Sequence, residues 1–255
     1  MRRLAFAVIA IAAVTLAAPA LRAQEAATPP LPHQNWSFEG PFGTFDRAAL
    51  QRGFQVYDQV CSNCHSMNLL AYHDLSGIGF GENEIKAIAA EKQVTDGPND
   101  QGDMYQRPGR ASDHFVAPFP NDQASRAAHN GALPPDLSVI IYAREGGPDY
   151  VYDLLTGFSD PPAGFKLGEN MNYNKYFPGH QIAMPPPLSD DIVTYSDGTK
   201  AVTAQEAHDV ATFLAWAADP HSEDRKRTGA KVIIFLLVMT GILYAAKRKI
   251  WAEVH

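Results

Sequence analysis

Cys61 and Cys64 are the only two cysteines in the 255-residue chain, and His65 directly follows the second. The run Cys61-Ser62-Asn63-Cys64-His65 has C-x-x-C-H spacing, whose chemistry is covalent haem attachment. Each thiol can form a thioether with a haem vinyl group, and the imidazole can ligate the iron. In an oxidising compartment the pair could instead form a redox disulfide. No further cysteine is present to complete a zinc site or a disulfide framework, and no thioredoxin-like βαβ pattern surrounds the motif. The motif is therefore read as the attachment site of one haem c.

An iron held by His65 needs a partner on its other face. Met67 lies too close to the motif to reach it, and Met239 falls in an apolar C-terminal run. Met184 is followed by Pro185-Pro186-Pro187, a stiff polyproline-type segment able to hold a thioether in place. His180, four residues earlier, competes with it. A different class of protein, an exported haem enzyme or gas sensor, would keep a five-coordinate iron with a distal His180 or His129. The residues alone leave these readings open.

The elements that must position the motif follow from periodicity. With 45% hydrophobic residues the chain can bury a core, and 19 prolines and 19 glycines make it rich in loops. It is neither disordered nor fibrous. Residues 24–43 read as an extended arm. Asp46 to Val60 is predicted as a helix, with Leu50, Phe54, Tyr57 and Cys61 on one face, and it delivers Cys61 to the haem. Met67 to Tyr72 reads as a helical turn, Glu82 to Lys92 as an amphipathic helix through Ile85 and Ile88, and Val94 to Asn121 as a long loop. Asn121 caps a helix stopped by Gly131. Pro134-Pro135-Asp136 opens a second, with Leu137, Ile140, Ile141 and Arg144 on one side, and Asp149 to Thr156 forms a third. Ile192 to Val202 is expected as a small hairpin. Thr203 and Glu206 form a predicted capping box for a helix whose buried stripe is Val210, Phe213, Leu214 and Ala217.

The two ends of the chain place it at a membrane. Residues 1–23 carry Arg2 and Arg3, an apolar Leu4 to Leu16 and small-residue cleavage sites, the pattern of a signal peptide. Its removal deletes Arg2, Arg3 and Arg22 and no acid, taking the formal charge from −7 to −10. After a charged hinge at 221–228, Val232 to Ala246 has no charge. Counted from Gly229, about 18 residues at ~1.5 Å each reach ~27 Å, roughly one hydrocarbon core. Lys247-Arg248-Lys249 and Trp251 follow as interface anchors. The expected division is a signal peptide (1–23), an exported haem domain (24–227), a transmembrane anchor helix (228–250) and a cytoplasmic tail (251–255). The fold class is mainly α: a c-type cytochrome haem domain with long loops and a single C-terminal transmembrane helix.

A resemblance covers the chain from about residue 36 to its end. F-E-G-P-F-G-T-F-D at 38–46, R-G-F-Q-V-Y-D-Q-V-C-S-N-C-H-S-M at 52–67, N-G-A-L-P-P-D-L-S at 130–138, G-G-P-D-Y-V-Y-D-L-L-T-G at 146–157, A-M-P-P-P-L at 183–188 and Y-S-D-G-T at 195–199 resemble cytochrome c1, as does R-K-R-T-G before the anchor. That family is the haem subunit of the quinol:cytochrome c oxidoreductase, the cytochrome bc complex. The resemblance implies that Cys61 and Cys64 are the thioether cysteines, His65 and Met184 the axial, iron-binding ligands, and Arg144 the arginine near a haem propionate. Tyr150, Asn130 and Pro135 fall in segments that line the haem in the family. Read from the residues alone, Arg144 on the inner face of an apolar helix also calls for an anion, with a surface ion pair as the plainer alternative. Some bacterial relatives hold the methionine loop with a disulfide; this chain lacks the cysteines, so packing must hold it.

His–Met ligation leaves no open position on the iron, so such a haem moves single electrons and the chain is not an enzyme by itself. The resemblance implies the Rieske iron–sulfur protein as donor, a soluble or tethered c-type cytochrome as acceptor, cytochrome b as a neighbouring subunit and a dimeric complex. It places the haem domain on the periplasmic side of a bacterial inner (cytoplasmic) membrane, with no nucleic acid among the partners. A stand-alone membrane-anchored monohaem cytochrome c is the alternative within the same class. The acidic mature domain suits steering of a basic cytochrome, with Asp96, Asp100, Asp103, Glu145, Asp149, Asp153, Asp160 and Glu169 as candidate contacts.

Overall fold

The computed structural model describes residues 28–252. In chain order its elements are α1 (Arg47–Gln59), α2 (Glu82–Ala90), β1 (Gln93–Asp96), β2 (Tyr105–Pro108), α3 (Asp122–Ala128), α4 (Ile140–Ala143), α5 (Gly147–Thr156), β3 (Asn172–Tyr173), β4 (Gln181–Ile182), α6 (Thr203–Ala218) and α7 (Ser222–Trp251), with 3₁₀ turns at Cys61–Asn63, Tyr72–Ile78 and Pro178–His180. The fold is mainly helical, as expected. The predicted signal peptide lies outside the described residues.

Asp46 starts α1 by accepting bonds from the Ala48 and Ala49 amides at 2.9 and 3.4 Å. The helix buries Leu50, Phe54, Val56 and Tyr57 against α6, the long helix read from the Val210–Ala217 stripe. The two backbones touch at Gly53, where a Cβ would stand 2.0 Å from the Asp209 carbonyl oxygen, so only glycine permits the crossing. Around it Phe54, Tyr57 and Phe213 interlock at ring-centroid distances of 5.7 Å from Phe213, and Tyr72 stacks on Phe115 at 4.7 Å.

A polar group sits in the same crossing. Asp209 is fully buried and takes Arg52 Nε and Nη2 in a two-pronged pair at 2.8 and 3.0 Å, with Gln205 Nε2 as a further donor at 3.0 Å. Arg52 extends the pair to Asp197 at 2.9 Å, tying the 195–199 turn to α1.

Several expected elements differ, each for a local reason. Residues 94–121 contain the antiparallel hairpin β1–β2, in register Gln93 to Pro108 through Asp96 to Tyr105. The strands are polar on both faces, so no hydrophobic alternation announces them; the Arg107 guanidinium pairs with Asp96 and Asp113 and pins the hairpin instead. The helix expected from Pro134 shrinks to α4, because Asp136 is committed elsewhere: its carboxylate accepts from Ser66 Oγ, Asn68 N and Ser138 N at 2.8, 2.9 and 2.8 Å. The helical turn placed at 67–72 is formed by Tyr72–Ile78.

At 192–202 there is no strand ladder, only a turn closed by Gly198 N to Tyr195 O and a bond from Asp191 N to Ala201 O at 2.6 Å. The predicted capping box is also absent. Val202 is the N-cap of α6, Asp190 accepts from both Thr203 N and Thr203 Oγ1 at 2.8 Å, and Glu206 is wholly buried. Asn121 does cap α3, and Gly157 does end α5.

The charged segment at 221–228 is no hinge; from Ser222 it is the first part of the 30-residue α7, which buries none of its residues in the chain. At ~1.5 Å per residue such a helix is about 45 Å long. It is the one helix among the described residues long and apolar enough to cross a membrane. Its first turns are fastened to the arm: Glu223 accepts from Phe45 N at 2.7 Å and Arg47 at 2.6 Å, and Lys226 donates to the Phe38 and Gly43 carbonyls at 2.6 and 3.1 Å.

Replacing Arg52 with methionine strands the Asp209 carboxylate in the α1–α6 crossing. The expected cost is about 3–5 kcal/mol, read as a fall in the thermal unfolding midpoint of the detergent-solubilised chain. The paired change R52M/D209L is expected to recover most of that loss, and equal destabilisation of single and double variants counts against the ion pair's role.

Candidate haem site

The motif begins where α1 ends. The helix gives way to the Cys61–Asn63 turn, with Cys64 N and His65 N both donating to Cys61 O at 3.1 and 2.9 Å. The two residues between the cysteines cap the helix: Ser62 Oγ donates to Asp58 O at 2.6 Å, and Asn63 Nδ2 to Gln59 O and Val60 O at 3.0 and 3.1 Å. Small polar residues at these positions therefore satisfy the last carbonyls of α1 while the chain tightens. Both cysteines are free thiols. Burial pushes the Cys61 thiol up to about 12 and keeps it neutral.

The His65 ring is fixed by one bond, with Nδ1 at 2.8 Å from the Pro135 carbonyl. A carbonyl only accepts, so Nδ1 carries the proton and the Nε2 lone pair is left for a metal. Burial lowers the His65 pKa and favours that neutral form. The Pro134–Leu137 strap that provides the carbonyl is itself bound to the motif, through Leu137 N to Ser66 O at 2.8 Å and through Asp136.

These groups open on a cavity of about 500 Å³. Cys61, Cys64, His65, Pro135, Arg144, Tyr150 and Met184 all line it, so residues as distant in sequence as 61 and 184 share one space. Asn130 does not line it. That residue takes a left-handed φ of 53° before Gly131 at 90°, the turn that sends the chain from α3 towards the strap. Arg144 lies just beyond α4 in extended backbone, not on the inner face of a helix. It has no carboxylate partner among the described residues, and one of its guanidinium nitrogens donates to Ala143 O at 3.0 Å. Burial pushes the Tyr150 phenol up, against the pull of the neighbouring Arg144 charge.

The two histidines considered as distal ligands lie in different places. His180 is buried outside the cavity, stacked on Tyr173 at 5.8 Å with Nδ1 on the Lys175 carbonyl at 3.0 Å. His129 lines the cavity but stands beside His65, whose pKa its charge lowers, and its Nδ1 is bonded to Ser125 O at 2.7 Å. Each histidine thus has its Nδ1 committed to a backbone carbonyl.

Other walls were not singled out from sequence. Val210 and Leu214 of α6, Leu154 and Leu155 of α5, Met171 and Phe177 also face the cavity. The α6 pair belongs to the stripe that builds the core, and a 3.6-residue period reads the same whether the stripe meets a neighbour or a cofactor. Of the acids expected as partner contacts, Asp149 accepts from Gln34 N and Trp36 Nε1 at 2.9 and 2.7 Å, Asp96 pairs with Arg107, and Asp153 is buried. Asp100, Asp103, Glu145, Asp160 and Glu169 remain exposed.

The donor set fits a covalently bound haem. Two free thiols and an imidazole with an available lone pair lie on one turn, a thioether shares the cavity, the walls are chiefly apolar, and Arg144 has no carboxylate partner among the described residues.

Comparison with known proteins points the same way. A model described as "Cytochrome C1 family" matches residues 36–254. The chain is 49% identical over 237 residues to a cytochrome c1 of Rhodospirillum rubrum, covering 87% of each protein. It is 52% identical over 205 residues to "Cytochrome c1 1, heme protein, mitochondrial" of Arabidopsis thaliana, covering 80% of this chain and 67% of the relative. It is also 48% identical over 256 residues to a cytochrome b/c1 of Bradyrhizobium diazoefficiens, covering 92% of this chain but only 37% of that longer protein. With a family match over most of its length and relatives at about half identity, this chain belongs to the cytochrome c1 family.

Proposed function

We propose that this chain is the haem-carrying electron-transfer subunit of a quinol:cytochrome c oxidoreductase. Cys61 and Cys64 would hold one haem c through thioethers, and His65 and Met184 would ligate its iron. The observation that carries the reading is the single cavity in which the C-x-x-C-H turn meets Met184. When bound, haem c supplies reversible one-electron chemistry, and His–Met ligation favours a higher potential than two histidines do.

The chain's residues do the rest. Pro135 fixes the tautomer and plane of His65, and the apolar walls from α5 and α6 keep water out. Arg144, unpaired among the described residues, would offer its charge to a propionate, with Tyr150 beside it. With both His65 and Met184 bound to the iron no coordination position would remain for a substrate, so the subunit is read as a carrier with no bond chemistry of its own.

Membership of the family supports the following reading of the partners. Cytochrome b sits alongside, the Rieske iron–sulfur protein delivers the electron, and a soluble or tethered c-type cytochrome removes it, in a dimeric complex. Residues 1–23 are read as a signal peptide, 24–227 as a periplasmic domain, 228–250 as the anchor in a bacterial inner membrane and 251–255 as its cytoplasmic tail. The exposed, length-spanning α7 supports the anchor.

Purification in mild detergent is expected to yield the chain with a b-type haem and an iron–sulfur protein; a chain recovered alone would instead support the free-standing cytochrome. Reduced wild-type protein is expected to show a low-spin spectrum unchanged by carbon monoxide, whereas Met184→Ala gains a carbon monoxide adduct. A wild-type protein that readily binds carbon monoxide defeats the carrier reading. Electron transfer to a basic cytochrome c is expected to slow by about tenfold or more from low to high salt, measured by stopped flow; a flat response removes the steering role of the acidic surface.

A further inference from the structure

Met184 sits in a segment with little backbone support. Pro185, Pro186 and Pro187 have no amide hydrogen to donate. The β3–β4 ladder, Asn172 to Ile182 and Tyr173 to Gln181, ends two residues before Met184. Beyond it, among the described residues, one hydrogen bond reaches positions 183–188: Asn172 Nδ2 donates to the Met184 carbonyl at 3.2 Å. Asn172 is thus held by its own backbone in the ladder while its side chain reaches past the ladder's end. Its strand is anchored in turn by the fully buried Asn174, whose side chain donates to Leu154 O at 2.8 Å and accepts from the Tyr176 and Phe177 amides at 3.0 and 3.1 Å. The support therefore runs from α5, a cavity wall, through β3 to the Met184 carbonyl.

We propose that Asn172 is the positioning residue for Met184, its side-chain amide holding the Met184 backbone at the cavity; this rests on the reading of Met184 as the second axial ligand. The role demands a donor. Leucine keeps the approximate shape without one, and an ionised aspartate has two acceptor oxygens facing a carbonyl, but a protonated aspartate regains an O–H to give.

The test uses the detergent-purified complex, with Asn172→Asp, Asn172→Leu and, as reference, Met184→Leu. The readouts are the sulfur-to-iron charge-transfer band of the oxidised protein and the rate of carbon monoxide binding to the reduced protein. Met184→Leu is expected to abolish the band. At neutral pH both Asn172 variants are expected to weaken it and to bind carbon monoxide about fivefold faster than wild type, the population change for losing one ordinary hydrogen bond. On acidification the Asn172→Asp band is expected to return as the new carboxyl protonates, from above its ordinary value of about 3.9, while the Asn172→Leu band does not. A merely structural role gives no such pH-dependent rescue. If Met184→Leu loses the band while both Asn172 variants match wild type, the positioning role is overturned and the ligand stands. If Met184→Leu keeps the band and still excludes carbon monoxide, the ligand reading fails and the positioning role with it.

Discussion

The contact between α1 and α6 at Gly53 is the constraint from which the rest of the domain follows. It brings the Asp209 carbonyl so near Gly53 that no side chain fits between them, and the buried Arg52–Asp209 pair leaves little freedom to slide. α1 ends in the C-x-x-C-H turn, and α6 presents Val210 and Leu214 to the cavity. One crossing therefore sets the distance between the attachment point and a wall of the haem pocket. The penalty of burying two charges is met by a two-pronged geometry with Gln205 completing the carboxylate, and in exchange the register of the crossing is fixed.

Much of the remaining pocket is made of irregular chain, and irregular chain must find partners for its backbone groups. Four polar side chains supply them at the decisive places. Asp136 binds the strap to the motif, Asn174 binds β3 to α5, Asn172 reaches the methionine segment, and Asp149 clamps the N-terminal arm through Gln34 and Trp36. Each is a short side chain, so little side-chain entropy is lost in forming its bonds. The pocket is apolar inside and held by polar stitches from outside.

That division explains what could be read in the sequence. The helices announce themselves because burial on one face imposes a 3.6-residue repeat, as at Leu50, Phe54 and Tyr57 or at Val210, Phe213 and Leu214. The motif was legible because its chemistry is rare and its spacing constrained, whereas the residues alone left Met184 and His180 both open and only the resemblance chose between them. The stitches were not legible. Nothing local distinguishes Asp136, whose carboxylate draws a proline strap away from helix, from Asp149, read as a surface acid and found holding the arm. Asp190, not Glu206, meets Thr203 at the start of α6, because a residue brought close only by the fold outcompetes the local capping pattern. Arg144 was assigned to a helix face by periodicity and lies past the helix end, yet still reaches the cavity, since a long side chain tolerates an error in its backbone.

The mounting of the domain on α7 follows the same logic. Glu223 and Lys226 bind the arm around Phe38 to Arg47 immediately before α1 begins, so the path from the apolar helix to the attachment turn runs through consecutive fastened segments. The charges at 222–228 serve as connections because they lie on helix, with carboxylate and ammonium groups directed at fixed backbone and side-chain partners. On the carrier reading proposed above, in which partners approach one edge of a buried group, orientation relative to the membrane would be part of the function. A helix continuous into its anchor holds that orientation better than a flexible linker of the same length.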